Sequence, residues 1–186
     1  EKAGARSKKT DTEQSEKLAL KAEARRLEQE DTLTGLANRA HFLQQLDASL
    51  RDAELNRTRV GVIVLDLDGF SEVNDQFGAA TGDRVLKSVA RRLSNATENT
   101  GSILARLGGN SFGLAIDALQ STQALEDLAQ RMRDVLVPPC TLDKLSLNLA
   151  ASVGGAVYPD NATDSFGLVN AADGAMQHAK AGGGGF

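Results

Sequence analysis

Val60-Gly61-Val62-Ile63-Val64-Leu65 is an unbroken apolar run rich in β-branched residues. A strand with one wet face alternates polar and apolar residues, so a run without alternation is expected of a central strand covered on both faces. The run ends abruptly in Asp66-Leu67-Asp68-Gly69. If strand geometry persists, Asp66 and Asp68 point to the same side. Crowded carboxylates repel and favour either a cation between them or a raised pKa. Mg²⁺ takes hard oxygen ligands of this kind and keeps waters and substrate phosphates beside them. Two-metal phosphoryl transfer calls for further acidic ligands. Asp68-Gly69 is equally the chemistry of a turn, in which both carboxylates stay solvated. Spacing leaves both readings open.

Around this strand the sequence predicts alternating elements. Asp31 or Thr32 can cap a helix running through His41 and Phe42 to about Leu55, with Phe42, Leu43, Leu46 and Leu50 on one face. A second helix spans about Gly82 to Ser94, where Val85, Leu86, Val89 and Leu93 recur with helical period. Ser102 to Leu107 and Phe112 to Ile116 flank a glycine turn and read as a hairpin. Thr122 to Val137 is amphipathic through Leu125, Leu128, Ala129, Met132 and Leu136. Leu145 to Val157 reads as one strand, in which Gly154-Gly155 marks a bulge or a close backbone approach. Asp164 to Lys180 is a final helix, ended by Gly182 to Gly185. Strands alternating with helices, together with a hairpin, imply an α/β fold (α+β) with a mixed sheet and helices packed on it.

Residues 1–30 differ in kind. They are dense in Lys, Glu, Gln and Arg and contain no Pro. Leu20, Ala24 and Leu27 fall at coiled-coil spacing over fewer heptads than a firm assignment needs. A solvated helix or tail and a signalling helix paired with its own copy are the two readings. The expected organisation is a charged helix or linker over 1–30 and a folded domain over 31–186. A chain opening on Glu1 and closing in a glycine run before Phe186 reads as a segment of a longer protein.

Composition removes several function classes. A net charge of −4 gives no global attraction to nucleic acid or an anionic membrane. The single cysteine, Cys140, excludes an internal disulfide and a cysteine metal cage. It follows Pro138-Pro139 in an expected turn and reads as a small hydrophobe in a reducing compartment. No apolar run approaches a membrane span, and no secretory segment is evident. The expected location is the cytoplasm, without direct membrane contact by this segment, whatever anchor the full protein carries in the inner membrane. His41 and His178 lack a second metal-type residue one helical turn on and read as packing or surface residues.

The motifs then combine. Asp31-Thr-Leu-Thr-Gly-Leu-Ala-Asn-Arg39 with Phe42 resembles the DxLTGLxNRxxF opening of the GGDEF domain family. Asp66-Leu-Asp-Gly-Phe-Ser-Glu-Val-Asn-Asp-Gln-Phe-Gly78, followed by Gly82-Asp83 and Leu86, is similar to the family's D-hydrophobic-D-x-F-K-x-I-N-D-x-x-G…GD…L segment. Arg106-Leu-Gly-Gly-Asn-Ser-Phe112 occupies the signature hairpin. Ser152-Val-Gly154 and the Ala172-Asp173…Ala175-Met176…Ala179-Lys180 helix match the closing motifs. The resemblance covers Asp31 to Phe186 in the family's order. It implies a palm-like, mainly antiparallel sheet that condenses two GTP into cyclic di-GMP across a dimer. Asn74 and Asp83 match the guanine-reading positions. Asp66 and the Leu67 carbonyl match metal positions, and Lys180 matches a phosphate-contacting lysine.

The departures from the family concentrate on the metal and triphosphate side. The degenerate signature is Gly108, Gly109, Asn110, Ser111 and Phe112. Asn110 replaces an acid that ligates metal and takes part in 3′-OH activation; an amide carries no charge and accepts no proton. Ser111 replaces the following Glu, Ser71 a Lys, Ala79 a His, and Gly184 an Arg. Each lost phosphate cation removes a charge-assisted contact worth about 1.5–3 kcal/mol. Asn99 to Ser102 lacks both charges of the RxxD product-inhibition motif, so no such site is expected. The resemblance therefore implies a catalytically silent regulatory domain without a cofactor. It would be a homodimer through the N-terminal helix, relaying a signal to a downstream EAL-type domain. A GTP sensor without turnover, holding Mg²⁺ with GTP, is the alternative reading, and an active cyclase the third.

Overall fold

The computed structural model describes residues 14, 16–18, 20–21, 23–24, 26–100 and 103–182. Strand β1 (Ala37–Asn38) leads into helix α1 (Arg39–Asn56), then β2 (Val60–Asp68), α2 (Phe70–Phe77) and α3 (Ala79–Thr97). The hairpin of β3 (Ile103–Gly108) and β4 (Ser111–Ile116) follows, then α4 (Thr122–Asp134). A small hairpin, β5 (Cys140–Leu142) and β6 (Leu145–Leu147), precedes β7 (Ala150–Tyr158) and α5 (Ser165–Ala181). The main sheet has the order β1-β3-β4-β2-β7, antiparallel except for the parallel β1–β3 edge. This is the mixed sheet that the element order implied, and the mainly antiparallel one that the family resemblance implied.

The apolar run sits at β2, paired with β4 on one side and β7 on the other. Alternation along β2 divides the core in two. Val60, Val62 and Val64 pack with Phe42, Leu46 and Leu50 of α1 and Leu168, Val169 and Met176 of α5. Ile63, Leu65 and Leu67 pack with Val85, Leu86 and Leu93 of α3 and Leu125, Leu128 and Met132 of α4. Both faces are dry, which explains why the strand shows no polar alternation. The same parity turns Asp66 and Asp68 toward the α5 face and Leu67 toward the α3–α4 face.

The two glycines of β7 answer the question of bulge against close approach. Pairing with β2 runs without interruption from Val60↔Tyr158 to Asp68↔Ala150, so there is no bulge. Instead α5 lies directly on the strand: a Cβ at Gly154 would overlap the Met176 amide nitrogen and the Ala172 carbonyl oxygen.

Four expectations need correction. The first helix starts at Arg39, capped by the Asn38 carboxamide, which accepts from the His41 amide at 2.9 Å. Asp31 and Thr32 cap no helix; Asp31 closes a turn, accepting from the Thr34 amide at 2.9 Å and the Thr34 hydroxyl at 2.7 Å. The helix expected from Gly82 begins at Ala79, and a separate α2 precedes it, the two divided by Gly78 at φ 83°. The strand expected over Leu145 to Val157 is two strands, β6 and β7, belonging to different sheets. Cys140 lies in strand β5 rather than a turn, but it is buried in the core as a small hydrophobe.

Candidate active site

The carboxyl end of β2, the β3–β4 turn and the end of α5 converge. Asp66 faces Ser111 on β4 and Ser152 on β7 in the strand register. From α5, the Lys180 ammonium donates to Asp66 Oδ2 at 2.6 Å and lies 3.8 Å from Asp68 Oδ1. The Ser152 hydroxyl donates to Asp68 Oδ1 at 2.9 Å. The Asp66 side chain is only 14% exposed, whereas Lys180 is 39% exposed. The hydrogen bond to Asp66 raises the Lys180 pKa above its ordinary value; burial opposes this, and the charges of Asp66 and Asp68 add to it.

Asn110 closes the other side. Its Nδ2 donates to the Leu67 carbonyl at 2.7 Å, while the Leu67 amide donates to the Asn110 carbonyl at 3.3 Å. Only the nitrogen end of the amide can sit this close to a carbonyl oxygen, so the orientation is fixed by chemistry. Gly108 and Gly109 both have positive φ, at 137° and 53°, which the tight turn requires. Phe112 is fully buried and anchors the hairpin.

Arg106 holds this turn in a way that spacing does not reveal. Its guanidinium donates to the Gly109 carbonyl at 2.9 and 2.7 Å and to both Asp31 oxygens at 3.2 and 3.1 Å. Burial pushes the Asp31 carboxyl up, but the bonds from Thr34 and Arg106 outweigh it and hold the group below the usual carboxylate range. Arg106→Ala is expected to lower stability by about 2 kcal/mol, because it leaves a half-buried carboxylate and a turn carbonyl without their donor. A carboxyl depressed in the native state contributes stability above its unfolded-state pKa and loses it as pH falls through the native value. Denaturant titrations should therefore show Asp31→Asn less stable than the parent at neutral pH, with the gap closing in acid. A gap that widens in acid would contradict the assignment.

The residues matched to guanine reading lie on α2 and α3. Asn74 is half-buried, and its Oδ1 occupies the space that a Cβ on Gly82 would take. Asp83 is the next residue and is exposed. Ser71 lies on α2, with its hydroxyl bonded to Glu72 at 3.1 Å. Of the inhibition-motif positions, Asn99 and Thr100 are described, whereas Gly101 and Ser102 lie outside the described residues, as does Gly184. His178 Nδ1 meets the Gly174 carbonyl at 2.8 Å within α5. Among the described residues, no helix is long and apolar enough to cross a membrane.

Only the alternative reading, a GTP sensor, calls for Mg²⁺ carried with nucleotide at this strand end. The donor set does not fit it. Asp66 is engaged by an ammonium, the Leu67 carbonyl by an amide N–H, and position 110 supplies no carboxylate. Among the described residues, no group of three or more His, Cys, Asp or Glu side chains could hold a metal ion.

Comparison with known proteins agrees with this architecture. The family Diguanylate cyclase, GGDEF domain, matches residues 28–185. The cyclic di-GMP phosphodiesterase PdeR of Escherichia coli is 37% identical over 153 residues, covering 82% of this chain and 22% of PdeR. Diguanylate cyclase TpbB of Pseudomonas aeruginosa is 35% identical over 151 residues, covering 81% of this chain and 34% of TpbB. The solved GGDEF domain of TpbB superposes with TM-score 0.80 at 34% identity, covering 84% of this chain and 91% of that one. The coiled coil and GGDEF domain of DgcB from Caulobacter crescentus, solved with c-di-GMP, gives TM-score 0.87 at 25% identity over 98% of this chain and 96% of that one. The chain spans between 20% and 34% of the length of the curated relatives it matches.

Proposed function

The chain belongs to the diguanylate cyclase, GGDEF domain family, and on that premise we propose that this domain makes no cyclic di-GMP and serves as a regulatory module in cyclic di-GMP signalling. It relays a signal from an upstream sensor to a downstream effector, an EAL-type domain. One observation carries the reading: the amide of Asn110 stands on the Leu67 carbonyl at 2.7 Å, where the family's acid would serve. An amide cannot take the 3′-OH proton at this position, and it adds no charge to hold a metal against a triphosphate. Ser71 in place of a lysine weakens phosphate binding further. The likeness to a phosphodiesterase, PdeR, supports a place beside an EAL-type effector.

For the relay, the described residues between 14 and 29 are helical, and Leu20 and Leu27 lie one heptad apart on it, 72% and 55% exposed. Unpaired leucines at that spacing suit a coiled coil with a second copy, and the coiled coil of DgcB supports the same arrangement. Chromatography of the purified chain incubated with GTP and Mg²⁺ tests the central point. Unchanged GTP is expected, and cyclic di-GMP above a heat-treated control would overturn the proposal.

A GTP sensor without turnover is the second reading, favoured by the seating of Asn74 against Gly82. Gly82→Ala should leave the fold intact, because the obstructing atoms, the Asn74 carboxamide and the tip of the Phe70 ring, belong to side chains rather than backbone, while displacing the Asn74 carboxamide. If Asn74 reads guanine, calorimetry should show GTP affinity weakened about tenfold, as losing one good hydrogen bond implies. Equal affinity in the variant, or no binding heat for the parent at millimolar GTP, would count against this reading.

A further inference from the structure

We propose that the Asn110 amide, with Lys180 (a lysine the family keeps) neutralising Asp66 and Asp68, satisfies the end of β2, so that this junction is complete without Mg²⁺ and takes none up. The inference goes beyond the lack of turnover, since a silent domain could still hold a metal–nucleotide complex. It rests on family membership only for where a metal would otherwise be sought.

Three features argue for it. First, strand parity sets Asp66 and Asp68 on one face, the crowding that ordinarily favours a cation. That need is met by the Lys180 ammonium, at 2.6 Å from Asp66 and 3.8 Å from Asp68, with the Ser152 hydroxyl on Asp68. Second, position 110 has changed from acceptor to donor. A carboxylate oxygen 2.7 Å from the Leu67 carbonyl would set two acceptors against each other until a cation or proton came between them. The Asn110 amide supplies the donor itself at that distance. Third, Mg²⁺ demands near-octahedral oxygen coordination and gives up its waters reluctantly. To enter here it would have to displace an ammonium and break the hydrogen bond from the Asn110 amide to the Leu67 carbonyl, and position 110 would return no charge for either.

The test is Mn²⁺ uptake by the purified chain, read as loss of the free-ion electron paramagnetic resonance signal. The parent is expected to leave the signal intact to millimolar Mn²⁺. The Asn110→Asp/Lys180→Met double variant is expected to take up one equivalent and to gain thermal stability on addition of Mg²⁺. Saturable uptake by the parent that Asp66→Asn abolishes would overturn the inference, as would a folded double variant that takes up none. If circular dichroism shows the double variant unfolded, the parent and Asp66→Asn decide alone. Cyclic di-GMP in the GTP incubation would sink the proposed function. Asp66-dependent Mn²⁺ uptake by a parent that makes no product would sink only this inference.

Discussion

Gly154→Ala is expected to lower the melting temperature by about 10 °C, or to leave the chain insoluble. The added methyl would overlap the Met176 nitrogen and the Ala172 carbonyl and lie 2.7 Å from the Met176 Cα, all backbone atoms of α5. No rotamer change relieves such a clash; α5 must lift from β7, opening the core around Leu168, Val169 and Met176. Overpacking of this kind costs about 3 kcal/mol or more, and each kcal/mol lowers the midpoint of a domain this size by about 2–4 °C. Gly174→Ala, on the same helix with open space around its Cβ position, is the control. It should raise stability by about 1 kcal/mol, because alanine restricts the unfolded chain and favours helix. Thermal melts of both variants decide the matter. A Gly154→Ala protein as stable as its parent would mean that α5 does not seat on the strand as described.

Phe112→Ala is expected to cost about 3–5 kcal/mol, the usual range for emptying a fully buried phenylalanine site. Phe112 pairs with Leu65 on β2 and with Arg106 on β3, and its ring lies in the core beneath α3 and α4. It lies two residues after Asn110 of the turn, separated from it only by Ser111. Its loss should therefore loosen the turn as well as the core. Equilibrium unfolding in denaturant gives the stability, and amide exchange at Leu67 and Ser111 gives the local effect. A loss below about 1 kcal/mol would show that the hairpin is not anchored through this ring.

The sequence reading succeeded where the signal is local and failed where it depends on a distant partner. The β2 run betrayed a strand dry on both faces, because burial on each side removes polar alternation. The period of two also sets Asp66 and Asp68 on one face. Asp31 was misread because helix capping and turn closure use the same carboxylate-to-amide bond; what distinguishes them is Arg106, 75 residues away. The β5–β6 hairpin was missed because Asp143, at φ 56°, fills a left-handed position more often taken by glycine or asparagine. At the site, the loss of charge at Asn110 was plain from its identity. The direction of its amide was not, because that depends on the Leu67 carbonyl across the turn. Nor could spacing bring Lys180 against Asp66, 114 residues earlier in the chain.

The central claim is that the end of β2 is satisfied by the protein's own donors. The most direct test is the side-chain NH₂ signal of Asn110 in a ¹⁵N-labelled sample, followed while Mn²⁺ is added with and without GTP. A bound paramagnetic ion broadens every signal close to it. The account predicts that the Asn110 side-chain pair and the Leu67 and Ser111 amides stay sharp through millimolar Mn²⁺ in both titrations. Selective broadening of those signals at substoichiometric Mn²⁺ would place a metal in the site and contradict it.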